Sequence, residues 1–242
     1  MGVVMCVEYC VQLWSWVSQF FSPCVDRSES LISSFRREKL LFEFNTFLDM
    51  NHDGVLEHSD LVLCGDRLRR RCGWREDDPR TLRLFALMKN IWLALRRHVD
   101  EDQDEQVTRV EWMMLWEEIE KQSRNSPPEE STQLKVNPEK IIRKPPEWMR
   151  DYFYYKFMML DAAGDGVLDE DEFVYMMTQY GASEQDAKKS WFLMAKGRRV
   201  LTREVFEELC EQFFLSDDPN DPGTYLSARL YFIPGEQRDT AP

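Results

Sequence analysis

Apolar side chains recur at spacings of three and four along most of this chain, and strand-like alternation is nearly absent. Phe44, Phe47 and Leu48 form one such helical face, leading into Asp49. Phe153, Phe157 and Leu160 form another, leading into Asp161. The stretch SEQD at Ser183 to Asp186 resembles a capping box with Asp in place of Glu, a helix start. The pattern predicts an all-α protein. It breaks where Pro127, Pro128, Pro138, Pro145 and Pro146 crowd a polar stretch, because prolines at that density do not continue a helix. The expected divisions are a hydrophobic extension over 1–29, a helical half over 30–122, a proline-rich linker over 123–146, a second helical half over 147–215 and a turn-rich tail over 216–242 carrying DDPNDPG.

The extension has a pattern of its own. Val3, Val7, Cys10, Trp14, Val17 and Phe21 make one helical stripe, but Glu8, Gln12, Ser15, Ser18 and Gln19 interrupt the apolar run that a membrane-spanning helix needs. It reads either as a helix docked on the protein's own core or as one lying in a membrane interface. It has neither the basic start nor the small-residue cleavage site of a signal peptide. Gly2, Cys6 and Cys10 hint at acylation, although Cys6 stands where the myristoylation pattern wants Ser or Thr.

Three twelve-residue stretches follow apolar helical faces and precede others: DMNHDGVLEHSD from Asp49, DEDQDEQVTRVE from Asp100 and DAAGDGVLDEDE from Asp161. Each has an aliphatic residue in its eighth place, Leu56, Val107 or Leu168. A loop of this length wraps a calcium ion with oxygen ligands at positions 1, 3, 5, 7, 9 and 12, the seventh through its backbone carbonyl, and position 6 turns sharply. The candidate ligands are Asp49, Asn51, Asp53, Val55 and Asp60 in the first loop. In the second they are Asp100, Asp102, Asp104, Gln106 and Glu111, and in the third Asp161, Asp165, Val167 and Glu172. Glu57, Thr108 and Asp169 hold the ninth places. Position 8 can pair with its counterpart in a neighbouring loop, so such loops are expected in twos.

Every loop departs from this pattern once. Asp60 is one methylene shorter than the usual twelfth-place Glu, which favours tolerance of six-coordinate magnesium. Glu105 stands at position 6, where a left-handed non-glycine residue costs about 1 kcal/mol or more. Ala163 leaves position 3 without an oxygen, a gap that a water could fill. A fourth unit should partner the third. If Leu201 is its eighth residue it runs from Met194 to Val205, without carboxylates at positions 1, 3, 5 and 12 and with Lys196, Arg198, Arg199 and Arg203 instead, so it is expected to be structural.

The chain has 242 residues, 43 % hydrophobic and 13 % aromatic, enough for a sizeable core. Its net charge of −13 makes it a poor nucleic-acid binder and suits a cation binder. Cys6, Cys10, Cys24, Cys64, Cys72 and Cys210 form no C-x-x-C pair and suggest neither zinc site nor disulfide framework, consistent with a reduced, cytoplasmic protein. The basic run RLRRRCGWR, Arg67 to Arg75, could face anionic lipid or an acidic partner. No nucleophile elbow, phosphate-cradling loop or HExxH pattern is present, and no enzymatic activity is expected.

The loops, the Trp-rich exit EWMMLWEEI from Glu111 to Ile119, the degenerate fourth loop and the ending FFLSDDPNDPGTYL from Phe213 to Leu226 resemble the EF-hand superfamily, and within it the invertebrate sarcoplasmic calcium-binding proteins and calexcitin. That resemblance covers about Ser30 to Leu226. It implies a compact all-helical monomer of two EF-hand pairs closed on each other, with two to three Ca2+ ions, and Mg2+ as a competitor, in the first three loops. Two readings of function stay open: an intracellular calcium buffer or sensor, and a calexcitin-like calcium-dependent regulator of a membrane or protein partner engaged through residues 1–24 and Arg67–Arg75. A third, a luciferin-binding photoprotein relative, fits poorly, because His52, His58 and His98 all lie in or beside the loops.

Overall fold

The computed structural model describes residues 30–99, 104–125 and 143–230. The chain divides into two units, Met1–Ser30 and Leu31–Pro242, and all the described helices and strands belong to the second. The amphipathic extension, with Gly2, Cys6 and Cys10, lies outside the described residues, as do 126–142 of the linker.

Eight α-helices and four short strands alternate among the described residues: α1 Ser34–Glu43, β1 Val55–Leu56, α2 His58–Arg71, α3 Pro79–Val99, β2 Val107–Thr108, α4 Arg109–Asn125, α5 Glu147–Leu160, β3 Val167–Asp169, α6 Glu170–Gln179, α7 Glu184–Ala195, β4 Val200–Thr202 and α8 Arg203–Leu215. None of these helices is long and apolar enough to cross a membrane. The caps follow the sequence. Ser33 accepts from Arg36 N at 3.1 Å to start α1, and Ser183 accepts from Asp186 N at 3.0 Å to start α7. The face Phe44, Phe47, Leu48 is buried as its spacing predicts, but it continues α1 as a π-helical turn over Phe44–Leu48, closed by Asp49 N–H on Phe44 O at 2.9 Å.

Strands β1 and β2 pair antiparallel, Leu56 opposite Val107, and β3 pairs β4 with Leu168 opposite Leu201. These are the four eighth-place residues, and all are fully buried. The pairing joins helix–loop–helix units one with two and three with four. Each exit helix, α2, α4, α6 and α8, starts at the tenth position.

One core runs through both pairs. Trp116 of α4 stacks on Phe214 of α8 with ring centroids 5.4 Å apart, and Phe214 stacks in turn on Phe153 of α5 at 5.7 Å. Burying rings of this size is worth a few kcal/mol each. Two acids inside this core are paired with cations. Glu43 of α1 accepts from Lys156 Nζ and Tyr152 Oη of α5, both at 2.5 Å. Glu120 of α4 takes three arginines, Arg36, Arg124 and Arg143.

Three boundaries differ from the sequence-based expectation. Helix α4 continues to Asn125, into the stretch assigned to the linker. Met194 and Ala195, expected in the fourth loop, are buried in the last turn of α7, so the connection between helices spans only 196–202, against 49–57 in the first unit and 161–169 in the third. The tail is not loose throughout. Pro222–Ser227 forms a 3-10 helix with Thr224 and Leu226 buried, packed on α7 and α8. Gly223 permits that contact, since a Cβ there would lie 2.3 Å from Leu209 O.

Candidate metal centre

In the first and third loops the helical turn before the loop ends one residue ahead of the first ligand position, and in all three the strand pairing fixes the eighth. The hydrogen bonds then repeat position by position. The fifth-place carboxylate accepts from the seventh-place N–H in all three: Asp53 from Val55 at 3.0 Å, Asp104 from Gln106 at 2.8 Å and Asp165 from Val167 at 3.1 Å. The first-place carboxylate accepts from the fifth and sixth N–H groups: Asp49 from Asp53 at 3.2 Å and Gly54 at 3.0 Å, Asp161 from Asp165 at 3.2 Å and Gly166 at 3.0 Å. The twelfth-place carboxylate accepts from the ninth N–H: Asp60 from Glu57 at 2.9 Å, Glu111 from Thr108 at 2.8 Å and Glu172 from Asp169 at 3.2 Å. It thereby serves as the N3 acid of the exit helix's capping box in the first and third loops.

The departures can be read in the same terms. Glu172 crosses the third loop to accept from Ala163 N at 2.8 Å. Asp60, one methylene shorter, also crosses, but meets Asn51 N at 3.4 Å and Met50 N at 3.1 Å. It is fully buried, and burial pushes its carboxyl above the usual carboxylate range against the pull of those N–H donors. Glu105 has a φ of 65°, in the left-handed region that position 6 demands, where Gly54 has 92° and Gly166 has 85°. Its carboxylate pairs with Arg96 at 2.9 Å, on the solvent side. Asn51 accepts from Asp53 N at 2.9 Å and donates to Asp53 Oδ2 at 2.8 Å. At the corresponding place in the third loop, Ala163 offers no oxygen. Asp100 and Asp102 lie outside the described residues.

Among the described residues no three His, Cys, Asp or Glu side chains stand grouped as a ready-made cage. Among the described residues, the first-, fifth- and twelfth-place carboxylates spread onto their own loop's N–H groups, where mutually repelling acids are stabilised. The donor set still fits a hard divalent cation: all oxygen, on loops with left-handed backbone at position 6. The fourth loop does not fit. It is shorter, its left-handed residues are Lys196 and Gly197, and it presents Arg198 and Arg199 where acids would be needed.

Two contacts escaped the sequence reading. The Gln106 side chain donates to Glu57 Oε1 at 2.8 Å, so Gln106 touches the first loop as well as its own. Arg109, the first residue of α4, reaches over the first loop to within 3.7 Å of Asp49 Oδ2 and donates to Asn45 Oδ1 at 2.6 Å. The β-register carried this signal, because pairing Val55 with Thr108 sets Gly54 opposite Arg109.

The basic run Arg67–Arg75 is largely engaged inside the molecule. Arg67 lies 4.7 Å over the Tyr180 ring, Arg69 pairs with Asp66, and Arg71 donates to the carbonyls of Met158 and Met159 at the end of α5. Arg70 and Arg75 face solvent, each beside an aspartate.

No protein-family model matches the chain. It is 25 % identical over 169 residues to the sarcoplasmic calcium-binding proteins II, V, VI and VII of Branchiostoma lanceolatum, spanning 70 % of this chain and 83 % of theirs. Over 194 residues it is 22 % identical to calexcitin-1 of Caenorhabditis elegans, spanning 78 % and 84 % respectively. The structure of a sarcoplasmic calcium-binding protein from amphioxus superposes with a TM-score of 0.65 at 22 % identity, covering 82 % of this chain and 98 % of that one, a likeness of fold. With loops paired at their eighth residues and hydrogen-bonded alike position by position, the chain resembles the EF-hand superfamily and is sarcoplasmic calcium-binding protein- and calexcitin-like.

Proposed function

We propose that this chain is an intracellular calcium buffer, holding Ca2+, with Mg2+ competing, in the loops that begin at Asp49, Asp100 and Asp161. The observation that carries the reading is the shared hydrogen-bond pattern of the fifth-place and twelfth-place carboxylates in all three loops. Asp49, Asn51, Asp53 and Asp60 supply the side-chain oxygens of the first site, and Val55 its carbonyl. Asp100, Asp102, Asp104 and Glu111, with the Gln106 carbonyl, supply the second. Asp161, Asp165 and Glu172, with the Val167 carbonyl, supply the third, and a water stands in at Ala163. The relatives named for calcium binding support the choice of ion. Calorimetric calcium titration of the full chain, with and without magnesium, counts the sites; no calcium heat in any loop sinks the reading.

A buffer is favoured over a regulator because Arg67, Arg69 and Arg71 are already spent on Tyr180, Asp66 and the end of α5. A regulator would engage its partner through residues 1–24 or through Arg70 and Arg75. Binding to anionic liposomes and to hydrophobic resin, with and without calcium and with residues 1–24 deleted, separates the two. Calcium-dependent capture that is lost on deletion replaces the buffer with the regulator.

A further inference from the structure

We propose that Arg109 is an internal cation of the first loop, standing against Asp49 and holding that loop's divalent-cation affinity down. The inference rests on the calcium reading of the first loop and names a residue, outside the ligand positions, that sets its strength.

The geometry has three parts. The β1–β2 register sets Arg109, tenth in the second loop, opposite Gly54, sixth in the first. Its guanidinium lies 3.7 Å from Asp49 Oδ2, and Nη1 is so close over the backbone that a Cβ at Gly54 would meet it at 3.0 Å. Its Nε is fixed by Asn45 Oδ1 at 2.6 Å, which aims the fork at the loop. The Asp49 side chain is 1 % exposed, so its charge is poorly screened by water. A divalent cation ligated by Asp49 would therefore share that carboxylate with a positive charge that cannot leave by titration. In return, the guanidinium offsets the mutual repulsion of Asp49, Asp53 and Asp60.

The second pair contains the comparison. Arg203 is tenth in the fourth loop and, by the Val167–Thr202 register, sits opposite Gly166. Yet nothing lies within 4 Å of a Cβ built at Gly166. Arg203 instead donates along its own helix to Glu207 Oε1 at 2.8 Å. Arg203 also lies 4.9 Å over the Tyr154 ring, and Phe157 stands before the third loop where Asn45 stands before the first. The side chain one turn on from Arg203 is Glu207, whereas one turn on from Arg109 it is Met113, which accepts nothing of use to a guanidinium. Lacking an acid one turn on and held by Asn45, Arg109 lies over the facing loop.

The test is a chelator-competition calcium titration of the full chain. Arg109→Met keeps the apolar stem and removes the charge, and should tighten first-loop binding by roughly three- to tenfold, as expected for one half-exposed charge acting on a divalent ion. Arg109→Lys, which keeps the charge, should stay within about twofold of native, and Arg203→Met should move no site. Asp53→Ala marks the first loop: the site it removes is that loop, and in its background Arg109→Met should have no effect. Should Arg109→Met fail to fold, as read by circular dichroism, Arg109→Gln carries the same expectation. Unchanged or weaker first-loop affinity in the neutral variant overturns the proposal, as does tightening that persists in the Asp53→Ala background. If Asp53→Ala removes no calcium from the native chain, the calcium reading of the first loop falls and the proposal with it; if it does remove a site, a failure of Arg109→Met counts against the proposal alone.

Discussion

Glu120→Gln should destabilise the protein by about 3–5 kcal/mol, the usual cost of removing one partner from a buried ion pair. The side chain is 0 % exposed and accepts four charge-assisted hydrogen bonds: from Arg36 Nη1 at 2.8 Å, Arg124 Nε at 2.8 Å, and Arg143 Nε and Nη2 at 2.6 and 3.0 Å. Gln matches its shape and keeps one acceptor, but it leaves the buried Arg36 guanidinium uncompensated. The cluster also ties separate parts of the chain: α1 through Arg36, α4 through Glu120, and the segment entering α5 through Arg143, which holds Asp217 beyond α8 as well. Urea unfolding in chelator is the assay. At a slope of about 2–3 kcal/mol/M the midpoint should fall by about 1–2.5 M. The acid limb supplies a second readout. Burial alone would raise the Glu120 carboxyl, but the arginines hold it at about 2, below its ordinary 4.5. A depressed carboxylate contributes stability that is fully present above pH 4.5 and lost as pH falls toward 2. The variant should lack that component of the acid unfolding curve. A midpoint within about 0.3 M urea of native, or an unchanged acid limb, refutes the argument.

Three further outcomes are expected. Ala163→Asp supplies the missing third-place oxygen and should tighten calcium binding at the third loop, by about tenfold for one added carboxylate ligand; a site that appears only in the variant would mean that the native loop is a relic and not a tuned site. Glu105→Gly relieves the left-handed backbone at φ 65°, an effect of about 1 kcal/mol, less the exposed Arg96 ion pair, and should tighten second-loop binding by a few-fold in the same titration; weaker binding would show that Glu105 is not strained. Burial in the company of Arg36 lowers the Lys39 ammonium to about 7, so native stability should gain from deprotonation as pH rises from 7 toward 10. Lys39→Met should therefore be most stabilising relative to native near pH 6–7, with the difference shrinking by pH 10 in thermal melts; a pH-independent difference contradicts it.

The local parts of this fold could be read from sequence because local rules determine them. Twelve-residue spacing placed Leu56, Val107, Leu168 and Leu201 as the eighth residues, and those four are the paired, buried ones. The need for a left-handed turn placed strain at Glu105, where the backbone is left-handed. What escaped depends on contacts between residues far apart in the chain. Arg36 meets Glu120, Glu43 meets Lys156, and Arg71 meets Met158, pairs that composition and periodicity cannot join. A run of arginines therefore read as a surface patch although three of its members have partners inside the molecule. The fourth loop failed for a related reason. Counting back from Leu201 assumed a full-length loop, but Met194 is apolar and gains more from burial at the end of α7 than from a place in a loop without ligands. Arg109 lies between the two cases. Its position opposite Gly54 follows from the eighth-residue pairing, but its direction depends also on contacts beyond its own helix, Asn45 for Arg109 and Tyr154 for Arg203. Where loops pair, the residue tenth in one loop should therefore be weighed with the ligands of the other.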